Sequence, residues 1–379
     1  MSAGPDNGFS VYIHWPFCTR ICPYCDFNVY RDRGADAAQW TAALTRELEY
    51  WAARTPGRRL TGLYFGGGTP SLAPAAVIDA VIDAGDRLWG FVDEPEITLE
   101  ANPTSAEVAR FSAFRSAGIN RLSLGVQSLD DASLKFLGRE HDATDAIAAV
   151  ELALSTFPRA TADLIYARPG QTSDQWTDEL LQLIATGLRH VSLYQLTIEP
   201  GTAFERAVAK KRWAPANEDL AADLFDATQE LTAQAGLPAY EVSNHAAPGE
   251  ESRHNLIYWR QGDYIGAGPG AHGRVTIDGE RFATETARRP AEYLKRIRSD
   301  GSGVTVNEKL SYKDVLTERL AMGLRTLEGV ALTPAEWAAL EAKILKLSAS
   351  GLAKRRGERL VASADGRRLL NLLLSDLAP

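Results

Sequence analysis

Over its first two hundred residues the chain alternates short apolar, β-rich runs with longer segments of helical periodicity. The short runs are Ser10–His14, Gly62–Phe65, Glu96–Glu100, Arg121–Val126, Ala162–Tyr166 and His190–Leu196. The longer segments, with apolar residues three and four positions apart, are Trp40–Ala53, Ala75–Leu88, Ala106–Ala117, Thr144–Leu154 and Ser173–Ala185. Strands that alternate with helices are typical of βαβ units and a parallel sheet. Because six strands are too few for a closed eight-stranded barrel, we predict an α/β fold with an open, curved partial barrel.

A second, smaller region follows a change of composition at Ser299–Gly303, which reads Ser-Asp-Gly-Ser-Gly and predicts a linker. The other elements predicted after the sixth strand are helices at Glu218–Ala235, Ser311–Arg325 and Pro334–Ser350, a strand at Arg359–Ala362, a turn at Ala364–Gly366 and a last helix. Helices followed by a small β element resemble a winged-helix arrangement. We therefore predict two domains, residues 1–300 and a mainly helical, winged-helix-like domain at 301–379.

The composition is that of a globular protein. Of 379 residues, 45% are apolar and 24% charged, and no apolar run approaches the roughly eighteen residues of a membrane span. Met1 to Phe9 contains neither a basic nor an apolar leader region, so we predict no signal peptide and a cytoplasmic location. The net charge of −8, with Lys354-Arg355-Arg356 as the densest basic stretch, argues against a nucleic-acid partner.

All three cysteines lie in one segment, Cys18-Thr-Arg-Ile-Cys22-Pro-Tyr-Cys25, directly after the first predicted strand. An odd number of crowded thiols argues against a disulfide framework and indicates a metal site. Three thiolates around a 4Fe–4S cluster leave one iron without a protein ligand, and that iron is available to a chelating amine and carboxylate. The alternatives are buried, unreactive cysteines or a zinc ion with His14 as its fourth ligand.

The CxxxCxxC segment after the first strand resembles the signature of the radical S-adenosylmethionine (SAM) family. The match is closest to the group of oxygen-independent coproporphyrinogen III oxidases, through motifs at successive predicted strand ends. These motifs are Tyr12–Cys18, Gly66–Pro70, Glu100–Pro103, Leu124–Ser128, Leu137–Arg139 and Asp163–Tyr166. The resemblance implies a radical SAM partial (β/α)6 barrel, a 4Fe–4S cluster on Cys18, Cys22 and Cys25, and bound SAM.

The resemblance also implies which residues contact SAM. They are Tyr12, Gly67, Gly68, Thr69, Glu100, Gln127, Arg139 and Asp163. Glycines let the backbone approach a ligand, and a carboxylate such as Glu100 can accept both ribose hydroxyls. Arg139 is expected near the SAM carboxylate and Tyr12 beside its methionine. One departure follows the last motif, where Ala167-Arg168-Pro169 replaces the usual Gly-Leu-Pro, and Arg168 is open to two interpretations, a surface group or a contact to an anionic substrate.

Two groups of this family share these motifs, the oxidases and the haem chaperones known as HemW. The oxidases carry a fourth cysteine two residues after the third, where this chain has Phe27, and a longer segment before the first strand. His254-Asn-Leu-Ile-Tyr258-Trp259 resembles the HNxxYW motif of the chaperones, which is implicated in haem binding. An imidazole can ligate haem iron, and flat aromatic rings can lie against a porphyrin. His272, in a glycine-rich segment, is a second candidate, and core packing of these rings is the alternative.

The sequence therefore predicts a haem chaperone that carries a 4Fe–4S cluster and SAM, and that delivers haem to acceptor haemoproteins such as respiratory enzymes. Dimerisation and a transient membrane encounter are further expectations for its partners. The alternative is an enzyme, an oxygen-independent coproporphyrinogen III dehydrogenase that decarboxylates two propionates through a 5′-deoxyadenosyl radical. Whether the chain has enzymatic activity is left open by its sequence.

Overall fold

The computed structural model describes residues 7–377. Most of the segment Met1 to Phe9, for which we predicted no signal peptide, therefore lies outside the described residues. The strands are β1 (Phe9–Trp15), β2 (Phe17–Cys18), β3 (Tyr30–Arg31), β4 (Leu60–Gly67), β5 (Phe91–Ala101), β6 (Arg121–Gln127), β7 (Arg159–Tyr166), β8 (His190–Gln195), β9 (Asn244–Ala246), β10 (Asp263–Ala267), β11 (His272–Ile277), β12 (Glu280–Thr286), β13 (Val304–Lys309), β14 (Val330–Ala331), β15 (Ala353–Arg356) and β16 (Arg359–Ala362).

Helices separate most of these strands. They are α1 (Ala37–Ala52), α2 (Ala75–Trp89), α3 (Ser105–Val108), α4 (Phe111–Ser116), α5 (Asp131–Phe136), α6 (Ala143–Thr156), α7 (Ser173–Ile184), α8 (Ala203–Ala209), α9 (Glu218–Gln234), α10 (Arg253–Trp259), α11 (Pro290–Asp300), α12 (Tyr312–Gly323), α13 (Pro334–Ala349), α14 (Ala364–Arg368) and α15 (Leu370–Leu377), with a 3₁₀ turn at Pro70–Leu72. The predicted helix at Ala106–Ala117 is two short helices, α3 and α4.

The six predicted strands are confirmed as neighbouring parallel strands, β1, β4, β5, β6, β7 and β8. They form the centre of an eleven-stranded sheet of order β13-β12-β11-β10-β1-β4-β5-β6-β7-β8-β9. β10 pairs with β1 in parallel, whereas β9 and β11 to β13 extend the two edges in antiparallel pairs. The predicted partial barrel is thus the centre of a sheet that extends further at both edges than the sequence predicted.

One face of the sheet carries the main core. On β1, Val11, Ile13 and Trp15 are buried in the hydrophobic cluster that includes Trp40 of α1 and Val77 of α2. Since successive side chains of a strand point to opposite faces, Ser10, Tyr12 and His14 face the other, concave side. The concave side, at the carboxyl ends of the parallel strands, is where the polar motifs of the sequence meet.

The carboxyl-terminal region has its own apolar cluster and confirms the winged-helix-like expectation. Leu316, Leu340, Leu360 and Leu373 are among its buried members, and β14, β16 and β15 form a three-stranded antiparallel sheet. The predicted turn at Ala364–Gly366 is wrong, because these residues begin α14. The side chain of Ser363 accepts a hydrogen bond from Gly366 N and so caps a helix there.

The segment Ser299–Gly303 is a fixed connection instead of a free linker. The fully buried Glu47 of α1 accepts hydrogen bonds from Ser302 Oγ (2.8 Å) and Gly303 N (2.7 Å). Gly301 has a left-handed φ of 74°, which ends α11. The boundary between residues 300 and 301 stays a prediction. Strand β13, just beyond it, pairs with β12 in the large sheet.

Candidate functional site

The three cysteines lie on a loop that is fastened at both ends. β2 and β3 pair in parallel and place Cys18 beside Arg31. Within the loop, Cys25 N donates a hydrogen bond of 3.2 Å to Cys22 O and closes a turn. Cys18, Cys22 and Cys25 are free thiols that line one cavity of about 780 Å³. Three thiols in the wall of one cavity are a donor set that fits a 4Fe–4S cluster.

The thiols require deprotonation before they can bind iron. Burial raises the pKa of Cys18, and burial raises the pKa of Cys25 to about 11, partly offset by a backbone contact to Phe27. At neutral pH these two groups are therefore thiols, and iron would displace their protons on binding. In the described part of the chain no group of three or more His, Cys, Asp or Glu side chains is arranged around a single metal ion.

His14, the fourth ligand in the zinc alternative, already has a partner at each ring nitrogen. Nδ1 lies 3.0 Å from the Tyr12 hydroxyl and Nε2 lies 3.0 Å from the carbonyl oxygen of Asn28. Gly67 adopts a φ of 109° directly above the ring, where an added Cβ would lie 2.7 Å from the imidazole. His14 therefore supports the cysteine loop, and this geometry does not favour the zinc alternative.

Glu100 is the penultimate residue of β5 and lies in the cavity wall. Its Oε1 accepts a hydrogen bond from the Tyr64 hydroxyl (2.7 Å) and its Oε2 accepts one from Gly67 N (3.2 Å). Burial raises the pKa of Glu100 to about 7; the Tyr64 hydrogen bond opposes this rise and the Asp163 carboxyl adds to it. Burial likewise raises the pKa of Asp163 to about 6, against the opposing effects of Ser192 and Arg139.

Arg139 connects the cysteine loop with the ends of two strands. Its Nη2 donates to Gly125 O (2.8 Å) and to Asn102 Oδ1, and its Nη1 lies 3.5 Å from Cys22 Sγ. Its Nε is buried and has no hydrogen-bond partner. An unpartnered guanidinium N–H beside the thiols fits a carboxylate ligand such as that of SAM.

Asn102 is a site residue to which the sequence reasoning assigned no role, although it belongs to the quoted Glu100–Pro103 motif. Its Nδ2 donates to Glu107 Oε1 (3.1 Å) and to Thr69 Oγ1 (3.4 Å), while its Oδ1 accepts from Arg139. Asn102 thus fixes the guanidinium and the end of β4 together. Its position at a strand end, two residues after Glu100, was the signal that could have identified it.

The structure brings most of the predicted SAM residues to this cavity. Besides the cysteines, the predicted residues in its wall are Gly67, Gly68, Thr69, Glu100, Gln127, Arg139 and Asp163. Gly68 lies so close to the loop that an added Cβ would be 2.8 Å from Phe17 O and 3.0 Å from Cys18 Sγ. Tyr12 is not among the lining residues; its ring lies 6.1 Å from that of Tyr64.

The residues predicted to contact haem do not meet on one surface. His254 is only 5% exposed, and its ring stacks on Tyr64 with centroids 4.2 Å apart. Trp259 lines a different cleft of about 1200 Å³ between α10 and the carboxyl-terminal region. The Cζ atom of Arg325 lies 5.1 Å from the centroid of the Trp259 ring. His272 is exposed at the start of β11, with Nδ1 3.5 Å from Glu285.

Arg168 is neither a surface group nor part of the cavity wall. It is 4% exposed, and its guanidinium binds the Glu179 carboxylate, with Nη1 3.0 Å from Oε1, and the Ser128 hydroxyl. The departure from Gly-Leu-Pro is therefore explained by a buried ion pair between the end of β7 and helix α7.

In the described residues, no helix is long and apolar enough to cross a membrane.

Comparisons with known proteins agree with this geometry. Residues 12–184 match the family model of the radical SAM superfamily. The chain is 39% identical to "Radical S-adenosyl methionine domain-containing protein 1, mitochondrial" of Bos taurus, over 91% of this chain and 79% of the relative. It is 34% identical to "Heme chaperone HemW" of Mycobacterium tuberculosis, over 98% and 95% respectively. The solved coproporphyrinogen III oxidase HemN of Escherichia coli has a TM-score of 0.82 over 100% of this chain and 91% of its own, at 23% identity, which is a likeness of fold.

Proposed function

The chain belongs to the HemW/HemN-like family of radical SAM proteins, and from this premise we propose that it is a haem chaperone that transfers haem to acceptor haemoproteins. Membership of this family implies a 4Fe–4S cluster and SAM. The observation that carries the proposal is the 34% identity to a named haem chaperone over 98% of this chain and 95% of that relative. The likeness to the oxidase, at 23% identity, concerns the fold.

Position 27 supports the chaperone branch. Phe27 stands where the resemblance places the oxidases' additional cysteine, and its side chain is 62% exposed at the cavity wall. The loop therefore offers three thiols and an apolar ring at this position. A ring cannot accept or donate a proton, so this position supplies no fourth sulfur for a reaction.

The residues of the cavity have separable tasks in the proposal. When bound, a 4Fe–4S cluster with SAM supplies one-electron reduction of the sulfonium. Cys18, Cys22 and Cys25 would hold the cluster, and Arg139 would pair with the SAM carboxylate through its unpartnered Nε. Glu100 would accept hydrogen bonds from the ribose hydroxyls of SAM. Gln127 and Asp163 would be the other polar side chains of the cavity wall near the ligand.

The test compares the two activities in one preparation. Anaerobically reconstituted protein is incubated with haem, and separately with coproporphyrinogen III, SAM and a strong reductant. We expect a stable haem complex with a Soret band and no protoporphyrinogen IX. In a second step, haem-loaded protein is mixed with a haem-free acceptor, such as an apo-cytochrome. The acceptor should gain haem from the protein at a higher rate than it gains haem from free haem in buffer.

Efficient decarboxylation of coproporphyrinogen III would identify the chain as the dehydrogenase and overturn the proposal. Failure to bind haem would contradict it directly. A Phe27→Cys variant is the matched control, because it restores the sulfur of the oxidase pattern at a single position. The predicted cytoplasmic location, homodimer and transient membrane contact stay predictions.

A further inference from the structure

The HNxxYW segment lies on α10, which packs beside β1 and β4 of the large sheet. The imidazole of His254 stacks on the Tyr64 ring, with centroids 4.2 Å apart and planes inclined by 17°. The edge of the same imidazole meets Tyr258 at 4.5 Å and 70°, and the Tyr12 ring lies 6.1 Å away. Three tyrosine rings thus enclose a side chain that is only 5% exposed.

The stack continues to the cavity wall through one hydrogen bond. The Tyr64 hydroxyl donates to Glu100 Oε1 at 2.7 Å, and Glu100 Oε2 is held by Gly67 N at 3.2 Å. His254, Tyr64 and Glu100 therefore form a continuous line of contacts from α10 to the carboxylate in the cavity. A change in the position of the His254 ring alters the support of the Tyr64 ring and, with it, the hydroxyl that orients Glu100.

Helix α10 is itself fixed from below by a buried carboxylate. His254 N donates to Glu96 Oε1 at 3.2 Å, and Glu96 Oε2 lies 3.1 Å from Arg121 and 3.0 Å from Arg159. Asn255 Nδ2 donates to the Tyr240 hydroxyl at 3.3 Å. These contacts hold the backbone of the motif in the barrel, so the imidazole is presented to Tyr64 by a rigid element.

We propose that His254 is a positioning residue for the cofactor cavity, whose ring holds the Tyr64 hydroxyl on Glu100, and that it is not an iron ligand. The inference rests on the proposed function in one respect, namely that Glu100 binds SAM. To ligate haem iron, the imidazole would have to leave a stack in which its neighbours are aromatic rings. Haem then has to be bound by other residues of the chain.

The chemistry of the ring agrees with a role for its flat face. His254 Nδ1 is buried and has no hydrogen-bond partner. Burial lowers the pKa of His254 to about 3, so the ring is neutral at physiological pH. A phenyl ring can therefore replace the imidazole at the stack without removing a hydrogen bond from Nδ1, which makes His254→Phe the matched control for His254→Ala.

The experiment is a double-mutant cycle on SAM binding by the cluster-loaded protein without reductant, measured by isothermal titration calorimetry. We expect His254→Ala to weaken SAM binding by up to about tenfold, because this factor corresponds to the upper end of the interaction free energy of one aromatic pair. Tyr64→Phe, which lacks only the hydroxyl, should weaken it as well, and the double variant should be no weaker than Tyr64→Phe alone. His254→Phe should retain wild-type affinity. Cluster absorbance and circular dichroism confirm that each variant is folded.

A second readout separates positioning from general loosening. Because the Tyr64 hydrogen bond favours the ionised Glu100, its loss should move the pH midpoint of SAM binding upward in His254→Ala and Tyr64→Phe, but not in His254→Phe. Additive losses in the cycle, or equal losses for His254→Phe and His254→Ala, would overturn the proposal.

Haem titrations provide the arm that distinguishes this inference from the proposed function. We expect His254→Phe to bind haem with an unchanged Soret band. Loss or shift of that band in His254→Phe, with SAM affinity intact, would make His254 an iron ligand and refute that half of the proposal. A wild-type protein that binds SAM but no haem would contradict the chaperone proposal alone, since the SAM cycle could still be read.

Discussion

At the scale of single residues, burial raises the pKa of the Glu100 carboxyl and of the Cys18 and Cys25 thiols, so protons compete with the ligands of these groups. Glu100 has its pKa raised to about 7 by burial, and Cys25 has its pKa raised to about 11 by the same cause. Each group is more easily ionised when a cation or a hydrogen-bond donor arrives. Loading of the site should therefore depend on pH.

Each cysteine should be indispensable for the cluster. Changing any one of Cys18, Cys22 or Cys25 to Ala should abolish the content of about four irons per chain after anaerobic reconstitution, since a cluster with two thiolates is poorly held. Iron incorporation should be faster at mildly alkaline pH, because the buried thiols must lose protons. Iron analysis and visible absorbance measure both effects. Arg20→Ala, in the same loop, is the control, and full iron content in a triple Ala variant would refute the assignment.

SAM affinity should follow the ionisation of Glu100. The ribose hydroxyls donate to a carboxylate better than to a protonated carboxyl, so affinity should rise as the pH is raised through about 7. Glu100→Gln should weaken binding by ~1–3 kcal/mol and flatten this pH profile. Calorimetric titrations at several pH values measure both quantities. Glu151→Gln, exposed on α6, should behave as wild type; an unchanged profile in Glu100→Gln would rule out Glu100 as the titrating group.

At the scale of elements, the short helix α10 is held inside the barrel by a buried charge network. The Glu96 carboxylate on β5 accepts hydrogen bonds from Arg121 of β6, from Arg159 of β7 and from the backbone N–H of His254. Arg121 is 2% exposed and Glu96 is 3% exposed. Removal of the Glu96 carboxylate would leave Arg121 as a buried charge without a counter-charge, so this network ties the position of α10 to the order of the parallel strands.

Glu96→Gln should be strongly destabilising for this reason. We expect a loss of ~3–5 kcal/mol in the free energy of unfolding, the usual effect of breaking a buried ion pair from one side. Arg189→Met removes a surface partner of Glu250, with a side chain 63% exposed, and should change stability by less than ~1 kcal/mol. Urea denaturation of the two variants measures the difference. Equal, small effects would mean that Arg121 does not need the Glu96 carboxylate as its counter-charge.

At the scale of the whole molecule, Glu47 joins elements that are far apart in sequence. Its carboxyl on α1 binds Ser302 and Gly303, just before β13 enters the large sheet. The carboxyl-terminal region is fastened further by Arg274 to Glu318 (2.7 Å) and by Arg260 to Glu328. These contacts keep the winged-helix-like region against α10 and the edge of the barrel.

Glu47 should make the stability of the fold fall as pH rises. Burial raises its pKa from 4.5 to about 7, so the folded state holds a proton that the unfolded state releases. Its stabilising contribution is complete below pH 4.5 and is lost as the pH rises to about 7, on the order of 3 kcal/mol in all. Glu47→Gln should remove this part of the pH dependence. Thermal unfolding of both proteins from acid to neutral pH is the measurement, and parallel curves would contradict the expectation.

The sequence by itself determined the six-stranded parallel core and most of the cavity wall. Strand and helix periods are local properties, and the carboxyl ends of parallel strands necessarily meet at one edge, so Glu100, Gln127 and Asp163 could be placed near the cysteines. Arg139 follows a helix, and its place beside them came from the family resemblance. The edge strands β9 to β13 had no comparably strong local pattern, and helix α10 is too short to declare its period.

The tertiary structure alone decided what the second half of the chain does at the site. His254 contacts Tyr64 across 190 positions of sequence, and Arg168 meets Glu179 only because β7 and α7 pack together. Both groups could be read from the sequence as ligands of a substrate, and both are buried against other side chains. A motif gives the chemical capacity of a residue, whereas its accessibility depends on long-range packing, which no local pattern contains.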